Sequence, residues 1–149
     1  MSGHNNDGIG AELLALKNDN GMINPVEVVQ WAKDHPDSRL HGSLEWDDVV
    51  AGQRHRLWQV RTLIAVHVVD ADGGRQAISL SIDRTHDGGY RPIGDIMQRP
   101  NLRQVMLDDA LAELQRVQAK YQRLQELEQV WIAADQARER RAPRRKRAA

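Results

Sequence analysis

Residues 101–141 contain neither glycine nor proline, so nothing in them interrupts a helix by residue type alone. Pro100 stands just ahead, where a first helical position tolerates its missing N–H. Asp108, Asp109 and Glu113 fall in the early turns and Arg138, Arg140 and Arg141 in the last, a polarity that complements the helix dipole. Leu107, Leu111, Leu114, Val117, Tyr121, Leu124, Leu127 and Trp131 recur at steps of three or four, on one stripe. The spacing predicts one helix over residues 100–141. At 1.5 Å per residue it would be roughly 60 Å long, whereas a compact body of this size is about 30 Å across. Most of the stripe then needs a partner helix, as in a coiled coil, unless the helix bends back. Those eight residues are the expected oligomer or partner interface.

Composition narrows the remainder. The chain has 149 residues, 40% of them hydrophobic, and no Phe. Its core must come from Val, Leu, Ile and Trp and is expected to be small. The absence of cysteine excludes disulfides and thiolate metal sites and fits a reducing cytoplasm. No apolar run approaches the ~20 residues of a membrane span, and no apolar leader is visible. The expected setting is therefore the cytoplasm, with no membrane partner.

Net charge is zero, but the charges are segregated. Arg138, Arg140, Arg141, Arg144, Arg145, Lys146 and Arg147 stand against one acid, Glu139, a net of +6 on a body of −6. Clustered arginine binds phosphate by releasing counterions, without regard to base sequence. The competing reading is a solvated tail that keeps a helix end soluble.

Before the long stretch the period changes twice. Residues 1–7 are polar and lack structural signals, and Leu13, Leu14 and Leu16 suggest a short helix closed by the turn cluster at 18–21. Asn24-Pro25-Val26-Glu27 reads as a helix start, with Asn24 as cap and Pro25 at the first position. That helix should end before Pro36. A second helix opens near Asp47 and runs to about Ile64, with Trp46, Val49, Val50, Leu57, Val60 and Ile64 on its expected buried side. Val66 and Val68 then alternate with His67. Beyond Asp72-Gly73-Gly74, Ile78, Leu80 and Ile82 alternate with Ser79 and Ser81, which predicts a β-hairpin. Tyr90 to Ile93 suggests a third short strand, and residues 94–98 one helical turn.

Helix, connector, helix, hairpin is the order of a winged helix. In that geometry Gln53, Arg54, Arg56 and Arg61 would face a DNA groove, since Arg and Gln read guanine and adenine edges by paired hydrogen bonds. Arg75 at the hairpin tip and Arg84 after it would meet phosphates. The alternative is a helical pair on a small sheet with solvated arginines. The acidic start of the second helix, Glu45, Asp47 and Asp48, argues against insertion of its N-terminus.

Catalytic signals are weak. His41, Glu45 and Asp47 or Asp48 are the densest polar group, but no second histidine stands at ligand spacing, and Trp46 with its flanking carboxylates reads better as a core anchor and helix cap. No nucleophile elbow and no phosphate-binding loop is present. No enzyme, metal or cofactor is expected.

Leu40-His41, then Leu44-Glu45-Trp46-Asp47-Asp48, with Ala51, Arg56 and Arg61 downstream, form one familiar stretch. Asp109-Ala110-Leu111-Ala112-Glu113-Leu114, Lys120-Tyr121 and Leu124-Gln125-Glu126-Leu127 form another. Together they resemble short, uncharacterised proteins encoded by tailed phages and prophages, over residues 22–134. The resemblance implies a phage or mobile-element setting, in the cytoplasm of a bacterial host cell, and no activity.

The expectation is thus an α+β chain: a flexible segment (1–21), a small helical head with an antiparallel hairpin in winged-helix-like order (22–99), one long helix (100–141) and a basic tail (142–149). Its expected function is non-enzymatic DNA association with homo-oligomerisation through the long helix. The alternative is a protein-interaction module, a phage assembly factor or host-directed inhibitor, that docks a protein partner through that helix.

Overall fold

The computed structural model describes residues 6–85 and 88–141. The chain is mostly helical, with one two-stranded antiparallel sheet. It divides into two compact units, residues 1–60 and 61–149.

The first unit holds α1 (Asn6–Ala15), α2 (Pro25–Asp34), α3 (Arg39–Ser43) and the start of α4 (Asp48–His67). The Asn24 side chain caps α2 by accepting from Val26 N–H, and Pro25 takes the first helical position. Asp47 does the same for α4, its Oδ1 accepting from Val49 and Val50 N–H. The N-terminal segment does not lie apart: Glu12 of α1 accepts from the backbone N–H groups of Arg39 and Leu40 at 3.1 and 2.9 Å, occupying the unpaired donors at the start of α3. Leu40 and Ala32 are buried. Trp46 is not the core anchor its neighbours suggest. It stacks on His41 at 4.7 Å and donates its indole N–H to the His41 carbonyl, while remaining more than a third exposed. His41 in turn places Nδ1 2.9 Å from the Ala32 carbonyl.

The expected buried side of α4 is a second correction, because α4 has no buried residue. Val49, Leu57, Trp58, Val60, Leu63 and Val66 are all exposed.

In the second unit the predicted hairpin shrinks to its turn. Helix α4 continues through Val66 to His67, so the first expected strand is not formed. Asp70 closes the loop instead. Its Oδ1 accepts from Asp72 and Gly74 N–H, its backbone N–H donates to the Gly74 carbonyl, and Gly73 takes a positive φ of 82°. A single bridge, Val69 to Arg75, survives from the hairpin. Strand β1 (Ala77–Ile78) pairs with β2 (Arg91–Pro92), Ala77 opposite Pro92 and Ile78 opposite Arg91. The alternating run then turns into α5 (Ser81–Arg84). Leu80 is drawn fully inward at that bend and packs with Ile96 of α6 (Ile93–Gln98) and Leu102 of α7 (Pro100–Tyr121), flanked by Ile78, Val105 and Met106. Burying a side chain such as Leu80 or Ile96 contributes roughly 1.5–3 kcal/mol, and this cluster is what the local alternation gave way to. Asp109 of α7 accepts from Ser81 N–H at 2.8 Å, and Arg91 forks onto Asp83 at 2.7 and 2.8 Å.

The predicted long helix is two helices. Helix α7 ends at Tyr121, Leu124 adopts an extended conformation, a 3₁₀ turn spans Gln125–Leu127, and α8 (Glu128–Arg141) follows. Helix α8 packs on α7. Leu111, Trp131 and Ala134 are buried, and Arg141 pairs with Asp108 at 2.8 Å. The break needs no glycine or proline. Folding back covers part of the apolar stripe within the chain itself, which outweighs the few backbone hydrogen bonds lost at residues 122–124.

Candidate functional site

The second unit contains a cleft of about 660 Å³. One side is built by chain segments that are remote in sequence. Arg61 comes from the last turns of α4, Arg75 from the end of the Asp70 loop, and Arg84 from α5. Ser79 and Tyr90 come from the segments flanking the β1–β2 pair. The other side is a face of α7: Met106, Ala110 and Glu113, spaced by four and three, with Asp109 between them.

Local bonds hold the basic side in place. Arg84 donates from Nη2 to the Ser79 carbonyl at 3.0 Å, and Ser79 Oγ donates to the Gly88 carbonyl at 3.4 Å. Gly88 has a φ of 65°, which lets the turn close beside the cleft, and a Cβ there would stand 3.6 Å from Arg61 Nη2. Arg61 and Arg75 have no hydrogen-bond or ion-pair partner among the described residues, and neither has Glu113. Asp109 has one oxygen engaged by Ser81 N–H. Nearby, Arg91 has its pKa raised, first by its hydrogen bonds to Asp83, then by Coulomb attraction to the same carboxylate, with burial opposing both.

Three guanidinium groups and two carboxylates therefore line one cleft, with a phenol and a hydroxyl beside them. Such a lining can hold an anionic oxygen cluster on one side and accept N–H or O–H donors on the other.

Of the residues expected to contact nucleic acid, Arg61, Arg75 and Arg84 come together here. Gln53, Arg54 and Arg56 lie on the α4 portion in the first unit, where Arg54 makes a 3.4 Å exposed ion pair with Glu45. Arg138 and Arg141 clasp α8 to the rest of the unit. Arg138 donates to Gln118 at 2.8 Å and pairs with Asp135, and Arg141 holds Asp108. Arg140 is exposed. Arg144, Arg145, Lys146 and Arg147 lie outside the described residues.

The expected interface residues divide likewise. Leu111 and Trp131 are buried within the chain, Leu127 is half-buried, and Leu107, Leu114, Val117, Tyr121 and Leu124 remain exposed. Sequence reasoning missed Ser79, Tyr90, Asp109 and Glu113 as cleft residues. The spacing of Asp109 and Glu113 by four marks a shared polar face, but only the fold shows what stands opposite it.

Among the described residues no helix is long and apolar enough to cross a membrane. No family model, no curated protein and no solved structure matches this chain.

Proposed function

We propose that the chain is a non-enzymatic nucleic-acid-associated protein that grips phosphates with Arg61, Arg75 and Arg84 and with its C-terminal basic residues. The observation that carries this reading is the convergence of three arginines, from residues 61 to 84, on one cleft, two of them without a protein partner. Placing cations together without neutralising them costs stability through mutual repulsion, and an anionic ligand removes that cost. A setting in phage or mobile-element biology follows from the sequence resemblance, with DNA as the natural polymer there.

Fluorescence anisotropy with labelled DNA over a salt series tests the reading. The three cleft arginines should contribute roughly −2 to −3 to the log–log slope, so charge reversal of all three should weaken binding and flatten the slope by that amount, the C-terminal basic residues supplying the remainder. No binding to duplex or single-stranded DNA at low salt would refute it.

Self-association and protein docking form a second reading, favoured by the apolar residues that stay uncovered: Leu107, Leu114, Val117, Tyr121 and Leu124 on the α7 side, and the exposed row on α4. Sedimentation over a broad concentration range tests the self-pairing form. An oligomer that dissociates in Leu114→Asp/Leu124→Asp supports it, and a single chain mass throughout leaves those residues to a different protein.

A further inference from the structure

We infer that the cleft of the second unit takes an unpaired nucleic-acid strand, phosphates against Arg61, Arg75 and Arg84, and a base between Tyr90 and the carboxylate of Glu113. This rests on the nucleic-acid reading above and narrows it to a polymer form and a base preference.

Shape and charge together favour a single strand. A cleft of about 660 Å³ is concave and of the size that encloses a ligand of one or two nucleotides. A duplex presents a convex surface edged by two phosphate rows. Laid across this cleft, it would bring phosphates toward Asp109 and Glu113 as well as toward the arginines. An unpaired strand avoids that conflict, because its bases splay away from its backbone and expose amino and imino donors. Tyr90 is half-buried at the cleft, and an aromatic ring there supplies a surface for base stacking.

The carboxylates then set a preference. An ionised carboxylate only accepts hydrogen bonds. Guanine carries adjacent N1–H and N2–H donors on its pairing edge, a match for the two oxygens of Glu113. Thymine offers one N–H flanked by two carbonyl oxygens, which a carboxylate repels. Glu113 has both oxygens free of protein partners among the described residues, whereas Asp109 has one committed to Ser81. Glu113 is therefore assigned as the reader and Asp109 as part of the wall.

The test uses the full chain with four labelled probes: a guanine-containing single strand, the same length of thymine, the matching duplex, and guanosine monophosphate as competitor. The guanine strand should bind tightest, with the mononucleotide far weaker. Tyr90→Leu should lose on the order of tenfold to a hundredfold for single strands, as expected for a lost stacking platform, and Tyr90→Phe should retain binding. Glu113→Gln should reduce the guanine-over-thymine ratio while leaving thymine affinity unchanged or higher. It lies at an exposed position on α7, so it reports even where Tyr90→Leu disturbs folding. Duplex binding equal to single-strand binding would overturn the inference and leave general phosphate association standing, as would Glu113→Gln with an unaltered base ratio. Mononucleotide competing as well as the strand would replace the polymer by a small ligand. No binding to any probe would remove both readings.

Discussion

Replacing Trp131 with alanine should open the α7–α8 hairpin. Trp131 is 8% exposed, and an indole buried to that extent removes about 200 Å² from water, worth about 5 kcal/mol at 25 cal/mol/Å². Straightening the chain through residues 122–127 would restore about three backbone hydrogen bonds, each worth about 1 kcal/mol net. The indole N–H is buried without a partner among the described residues, which costs about 1–3 kcal/mol, so the indole roughly balances the break and the other contacts tip it. Without the indole, the fold-back rests on Leu111, Ala134, the Arg138–Gln118 hydrogen bond and the Arg141–Asp108 pair, whose carboxylate is half exposed and so contributes at most ~1 kcal/mol. The chain has no cysteine, so spin labels can be introduced singly at Gln104 and Arg140, both exposed. In one straight helix those positions would lie about 54 Å apart, and in the hairpin they lie close, near the Asp108–Arg141 contact. The unaltered chain should give the short distance only, and Trp131→Ala should add a population near the long one. A long distance in the unaltered chain, or an unchanged distance and melting curve in Trp131→Ala, would refute the reasoning.

Leu80→Ala should destabilise the second unit by about 2–5 kcal/mol in a denaturant melt, because Leu80 is fully buried against Ile96 and Leu102. Gly74→Ala should cost about 1–2 kcal/mol, since its Cβ would stand 2.8 Å from an Asp70 oxygen and displace the carboxylate that closes the loop; Val69 and Arg75 amide exchange should accelerate. Asn24→Ala should lower stability by about 1 kcal/mol through loss of the α2 cap, with the loss confined to the first unit in amide exchange. Arg91 has a raised pKa in the fold, so the stability it adds is complete below its ordinary value and is lost only as pH rises beyond that, far above neutrality; Asp83→Asn should therefore lower the melting temperature by the same amount across the neutral range.

Local chemistry made several elements legible in advance. Asn24-Pro25 marked the start of α2, Asp47 the start of α4, Pro100 the start of α7, and Asp72-Gly73 a tight turn, because caps, prolines and turn glycines act within three or four residues. What failed depended on tertiary burial. The alternation around Leu80 suits a strand, yet the core pulls Leu80 in where the chain bends into α5. Residues 122–127 are good helix formers, and the break there is set by what α8 covers, not by any residue within it. The candidate site was legible in part. Arg61, Arg75 and Arg84 stood out as exposed cations, but their convergence with Tyr90, Asp109 and Glu113 joins positions up to fifty-two apart, from 61 to 113, and only the fold brings them together.

The return of α8 along α7 also decides where the charge at the end of α8 sits. Arg141 is pinned to Asp108, so the last described residue of α8 is tied back to the first half of α7. Had the segment run straight, Arg141 would have been carried about 50 Å from Asp108, at 1.5 Å per residue. Here its guanidinium neutralises an acid of α7 instead of standing at the tip of a rod.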